Sequence, residues 1–121
     1  MEIKFNFNSQ IKTSKIQSER LLALGLKRET ADTRHYSWSE GFWGVKAIPA
    51  WSLHRLIEMM PRRIEYEGNT LYLTIYAGDV FYTNWKEHTP LARTLDLYEH
   101  LIWYIEWLIK EGHFNKVYLE D

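Results

Sequence analysis

The sequence predicts an α+β domain, and three observations carry that expectation. Residues 63–85 read as alternating strand runs broken by glycine-containing turn signals. Residues 91–111 carry apolar side chains at helical period, and two shorter helical patterns with clear caps come before the strands. Together these describe a three-stranded antiparallel meander, a long C-terminal helix on one face, and two shorter N-terminal helices.

Taken in order, Ile3, Phe5 and Phe7 alternate with polar residues, which suggests a short edge strand or a flexible start over 1–12. A helix over 15–24 follows. Ser14 or Thr13 caps it, Leu21 and Leu22 form its apolar side, and Gly25 ends it. Residues 27–46 resist assignment: Tyr36, Trp38, Phe42 and Trp43 lie among the breakers Gly41 and Gly44, which reads as a loop or loose hairpin. A compact helix begins after the cap Ser52. Leu53, Leu56, Ile57 and Met60 mark its buried side, and Pro61 stops it.

Strands are expected over 63–67, 70–76 and 80–85, joined by Gly68-Asn69 and Gly78-Asp79, since glycine tolerates the positive φ of two-residue hairpin turns. Two-residue loops there set Tyr66 opposite Leu71 and Ile75 opposite Tyr82. One sheet face then holds Ile64, Tyr66, Leu71, Leu73, Ile75, Val80 and Tyr82, a natural seat for the last helix. The other mixes Arg63, Glu65, Thr74 and Thr83 with Tyr72, Tyr76, Phe81 and Trp85, and pairs Tyr76 with Phe81 and Tyr72 with Trp85. In the last helix Leu95, Tyr98, Ile102, Ile105 and Ile109 form one apolar stripe, widened by Leu101 and Leu108.

Composition excludes several classes. A chain of 121 residues is one domain, and 45% hydrophobic residues with six Trp and eight Tyr suit a packed globule. Fifteen basic against sixteen acidic residues give a net charge of −1, without the basic excess through which nucleic-acid modules neutralise phosphates. The absence of cysteine removes disulfides, thiolate metal sites and thiol nucleophiles. No apolar run long enough for a secretory signal or a membrane span is present, so cytoplasmic residence and no membrane partner are expected.

Two stretches, Gln17-Ser-Glu-Arg-Leu-Leu-Ala-Leu-Gly-Leu-Lys-Arg-Glu-Thr-Ala-Asp32 and Ile48-Pro-Ala-Trp-Ser-Leu-His-Arg-Leu-Ile-Glu-Met-Met-Pro61, precede the hairpins and a helix ending Trp107-Leu-Ile-Lys-Glu-Gly112. In these the chain resembles a family of short proteins, of no established function, common in gut bacteria and their phages or mobile elements. The resemblance covers most of the chain after residue 13. It implies an α+β domain and a mobile-element origin, and it transfers no catalytic or binding residue. The aromatic segment 36–43 is the part least safely read by that analogy.

The strongest functional signal is on the last helix. Trp103 and Trp107, one turn apart, project away from the apolar stripe among Asp96, His100 and Lys110. Tryptophans on a polar face require cover, either from an N-terminal element of the same chain or from another molecule; each buries about 150–250 Å² when covered. Self-association through a two-fold contact or docking of a partner protein follows from the second option, with the tryptophans as anchors and the three polar residues as rim.

The alternative ligand face is Tyr72, Tyr76, Phe81 and Trp85, which could stack single-stranded bases or sugars. Against it stands packing of the two N-terminal helices across that face to give three layers. His54, Arg55, Arg62 and Arg63 form a third candidate as a phosphate or acidic-partner site, against an ordinary solvated rim. The five histidines are scattered: Asp96, His100 and His113 could converge on a metal, yet no HExxH or equivalent spacing occurs. No phosphate loop, dinucleotide fingerprint or G-x-S-x-G elbow is present either. The expectation is a non-catalytic protein-interaction or oligomerisation module without cofactor or metal.

Overall fold

In the computed structural model, residues 9–38, 45–92 and 96–121 are described. The expected strand at Ile3–Phe7 and the Leu95 position of the helical stripe lie outside them.

Helix α1 spans Lys15–Ala23. Ser14 caps it by accepting from the Gln17 amide, while the Gln17 side chain accepts from the Ser14 amide, closing a capping box that satisfies two otherwise orphaned donors. A 3₁₀ turn at Arg28–Thr30 leads into β1 (Thr33–Trp38), which pairs antiparallel with β2 (Val45–Ala50). The region expected to be a loop or loose hairpin therefore holds two regular strands flanking residues 39–44. Pro49, shortly before the second helix, sits in β2 opposite Arg34. A proline, which has no amide to donate, is tolerated there because β2 pairs on one side only and has an open edge.

Trp51 locks this ribbon to the start of the chain. Its amide donates to the Thr13 hydroxyl (3.0 Å), its carbonyl accepts from the Thr13 amide (2.9 Å), and its indole donates to the Thr30 hydroxyl (3.0 Å). A fully buried tryptophan with its one polar atom satisfied adds large apolar area without a desolvation penalty. Helix α2 (Leu53–Met59) follows, capped by Ser52, whose hydroxyl and amide both bond the Asp32 carboxylate.

Strands β3 (Arg63–Tyr66), β4 (Asn69–Tyr76) and β5 (Asp79–Thr83) form the expected three-stranded antiparallel sheet, but its register differs. The turns are Glu67-Gly68 and Ala77-Gly78, with φ of 50° and 81°, and of 51° and 83°. Positive φ at both central positions is the type I′ geometry that matches strand twist. Glycine takes the second position in each turn, so a non-glycine residue takes the first. Tyr66 accordingly faces Asn69 rather than Leu71, and Ile75 faces Val80 rather than Tyr82. A shift of two residues leaves every side chain on its expected face. The expected Tyr76–Phe81 and Tyr72–Trp85 pairs are replaced by Tyr76 opposite Asp79, Thr74 opposite Phe81 and Tyr72 opposite Thr83.

Helix α3 spans Leu97–Lys110 and starts six residues later than expected, because Asp96 caps it by accepting from the Tyr98 amide. Tyr104 meets Tyr82 of β5 (ring centroids 6.1 Å apart), and Trp107 meets Tyr66 of β3 (5.5 Å). On its other side α3 touches α1 and α2. The core joins Leu21, Trp51, Leu56, Leu71, Leu101 and Ile105, all fully buried. Beyond α3 the chain returns to α1, where the Glu120 amide donates to the Gly25 carbonyl and the Lys27 amide to the Tyr118 carbonyl. No described helix is long and apolar enough to cross a membrane.

Candidate interaction surface

Trp103 and Trp107 are half-buried and packed mainly by their own chain. The Trp107 ring lies 5.8 Å from Tyr104 and 6.0 Å from His113, in addition to Tyr66, and the Trp103 ring lies 4.9 Å from Tyr104. Among the described residues the cover of Trp107 comes from Tyr66 of β3 and from His113 after α3, while the first eight residues, expected to supply it, lie outside them. What remains open is a shallow notch of about 120 Å³ lined by Trp103, Glu106, Trp107 and Lys110, with Lys110 and Glu106 ion-paired across one turn at 3.4 Å.

The polar rim expected around the pair is only partly on the surface. Lys110 is exposed and Asp96 serves as the helix cap. His100 is a correction: it is 1% exposed, its Nδ1 lying 3.8 Å from the Asp79 carboxylate. The cause is that α3 is enclosed on two sides. Residues 100 and 104 share one helical face, and Tyr104 on that face packs against β5, carrying His100 into the interior with it.

The outer face of the β3–β5 sheet is different. Tyr72, Tyr76 and Trp85 are 53%, 67% and 80% exposed, with Phe81 half-buried. The expected third layer does not cover them: α1 packs against β2 and α3, and α2 against α3. Tyr72 and Tyr76 point the same way from one strand, about 13 Å apart at the rise of an extended chain. Phe81, opposite Thr74, is the diagonal neighbour of both. The observed register thus makes a continuous aromatic strip where the expected one made two separate pairs. Around it stand Arg63 opposite Tyr72, Asp79 opposite Tyr76, and Glu65, which accepts from the Thr70 hydroxyl at 2.6 Å.

Trp85 occupies a bend just past β5. Its amide donates to the Thr83 hydroxyl (2.9 Å), and the Lys86 and Glu87 amides both donate to the Asn84 side chain (3.0 and 2.7 Å). These bonds hold Trp85 at φ 72°, a left-handed backbone that bulky side chains adopt only under constraint.

Of the basic candidates only His54 and Arg62 share a cavity, which Glu58 also lines. His54 and Arg55 both engage Glu58, at 3.6 and 2.8 Å; Arg55 also donates to the Thr30 carbonyl (2.7 Å) and lies 5.7 Å over the Tyr118 ring. Arg62 and Arg63 are exposed. The described histidines lie apart: His35 is within 2.6 Å of the Thr13 carbonyl, His88 bonds the Thr89 carbonyl, and His113 stacks near Trp107. Among the described residues no group of three or more His, Asp or Glu could hold a metal. The buried hydroxyls of Tyr82 and Tyr104 bond the Pro61 and Pro90 carbonyls. Burial raises both, that of Tyr104 to about 12, which keeps them protonated and unsuited to proton transfer near neutrality.

The β1–β2 ribbon makes regular strands of what the sequence reads as a loop or loose hairpin, and only the short alternation of Arg34 and Tyr36 with Thr33 and His35 signals it. Compared with known proteins, the chain matches no family, no curated protein and no solved structure.

Proposed function

We propose that the protein is a non-catalytic protein-interaction module whose contact surface is the outer face of the β3–β5 sheet. One observation carries this reading: Tyr72, Tyr76 and Trp85 leave large aromatic area in water on and beside an open sheet face, and Trp85 does so from a strained backbone. Exposed aromatics flanked by arginine are the residues that anchor protein interfaces, and strain held in an exposed loop residue points to selection for contact rather than stability. In this reading α3 closes the inner face of the sheet. The Trp103/Trp107 notch, with Lys110 at its edge, is a secondary contact. The resemblance to short proteins of mobile elements adds a setting, that of an accessory protein of such an element.

The partner is a second copy of the chain or another protein. Nucleic acid is disfavoured because Glu65, Glu67, Asp79 and Glu87 outnumber Arg63 and Lys86 around the strip, and anionic surroundings repel a phosphate backbone. Light scattering across a dilution series, on the wild type and on Y72S/Y76S, tests the reading. A concentration-dependent dimer lost in the variant supports it. A wild type that stays monomeric, with Trp fluorescence that responds to oligosaccharide or single-stranded oligonucleotide and loses the response in Y72S/Y76S, replaces it with a ligand-stacking face.

A further inference from the structure

The β1–β2 ribbon carries a second candidate site, independent of the sheet face. In its register Arg34 stands opposite Pro49 and Tyr36 opposite Ala47, so these four share one side of the ribbon. The 3₁₀ turn walls that side. Arg28, Glu29, Arg34, Ala47 and Pro49 line a cavity of about 320 Å³, within the range of small-molecule pockets. Tyr36, 66% exposed, stands beside it, about 7 Å beyond Arg34 on the same strand face.

The electrostatics are one-sided. Neither Arg28 nor Arg34 is ion-paired with a described carboxylate, and the Arg28 guanidinium makes one long bond, to the Ala47 carbonyl at 3.4 Å. Lys12, outside the lining, donates to the Arg34 backbone carbonyl at 2.8 Å and places a further cation beside that strand. Among the described residues Glu29 is the one acidic group in the lining. The first fifty residues hold eight basic and five acidic side chains, whereas the remaining seventy-one hold seven and eleven. Two guanidinium forks bordering one cavity in the basic half of a near-neutral chain match the bidentate geometry of phosphate, and arginine is the residue that makes such contacts strong. An exposed tyrosine beside them supplies a flat apolar surface for a ring.

We propose that this cavity binds a small phosphorylated ligand with a planar ring, the phosphate held by Arg28 and Arg34 and the ring laid on Tyr36. A small ligand fits better than a polymer, because the two arginines border one cavity and the acidic remainder of the chain repels an extended polyanion.

The test is calorimetric titration of the full chain with adenosine 5′-monophosphate, adenosine and inorganic phosphate, at low salt and at high salt. The expected result is saturable, salt-weakened binding of the monophosphate, with adenosine weaker by about tenfold or more, the loss that one charge-assisted contact represents. R28Q and R34Q each weaken the monophosphate by about tenfold, and R34K restores only part of the loss because lysine lacks the fork. Y36S weakens the monophosphate while leaving inorganic phosphate unchanged. All four substitutions are at exposed positions, and thermal melts confirm that each variant is folded. Absence of saturable binding at millimolar monophosphate overturns the proposal, as does binding indifferent to both arginine changes. Tighter binding of a single-stranded oligonucleotide through the same arginines overturns the assignment to a small ligand.

Discussion

The two faces of the β3–β5 sheet are built from neighbouring residues of the same strands and end in opposite environments. On the inner face Leu71 and Tyr82 are fully buried, and Tyr66 lies against Trp107. On the outer face Tyr72, next in sequence to Leu71, is more than half exposed, and Tyr76 is more so. Both faces are rich in aromatics, so hydrophobicity alone does not separate them. The difference lies in what arrives from elsewhere in the chain: α3 brings Tyr104 and Trp107 to one side, while α1 and α2 spend their apolar stripes on β2 and on α3. A sheet face is core when a helix has apolar surface left to give it, and a contact surface otherwise.

Adjacent substitutions break or sharpen this contrast most strongly. Leu71→Ala is expected to lower unfolding free energy by about 2–5 kcal/mol, the range for emptying a buried site, whereas Tyr72→Ser changes it by no more than about 0.5 kcal/mol. Urea denaturation of the pair measures both. Comparable losses would show the outer face to be covered and would remove the basis for a contact surface. Trp107→Ala lies between them, at about 2 kcal/mol, because the ring is only half-buried yet touches Tyr66, Tyr104 and His113. A cost below about 0.5 kcal/mol would return Trp107 to the role of surface anchor.

The same contrast explains what could be read in the sequence. Local signals were legible: the Ser14 and Ser52 caps, the Pro61 stop, the glycine turns and the two faces of the meander all depend on residues within a few positions of one another. The register was missed by two residues because Glu67 and Ala77 accept left-handed backbones that side-chain chemistry does not advertise. The burial of His100 was missed because it depends on β5, some twenty residues earlier, closing over what looked like a polar helix face. The aromatics of the outer face are legible as a candidate strip, but their exposure is not, since only the placement of α1 and α2 decides it. The β1–β2 pairing was obscured by the glycines and aromatics of 36–44, whose alternation is weak.

Trp85 turns the comparison into one between stability and contact. A side chain at φ 72° costs about 1–2 kcal/mol relative to a right-handed backbone, and asparagine tolerates that region better. Trp85→Asn is therefore expected to raise stability by about 0.5–1 kcal/mol, since an 80% exposed ring has little packing to lose. Combined with loss of association in light scattering, such a gain would separate a contact residue from a structural one. A destabilised variant would instead place the indole in the fold, and the strain would then serve packing.

The smallest expected effect concerns the bridge between α1 and α3. Glu99 accepts from Gln17 Nε2 (2.8 Å) and from Arg20 (2.7 Å), and these two bonds, the Gln17 one foremost, hold its carboxyl below the usual carboxylate range. A depressed folded-state pKa means that the unfolded chain binds the proton more readily. The bridge therefore contributes its full stability above the ordinary glutamate pKa and loses it as pH falls through the lowered value. Both partners are partly exposed, at 44% and 33%, so solvent screening limits the contribution to about 0.2–1 kcal/mol. Asp32 is shifted in the same direction: burial raises it, but its bonds from Ser52 outweigh that, so it titrates in the same acid window. The informative quantity is thus the difference between wild type and E99Q, measured by urea denaturation from pH 7 down to pH 3. That difference should shrink toward zero with acidity and with added salt. A difference that persists at pH 3 would mean that Glu99 ties α1 to α3 through packing and not through its charge.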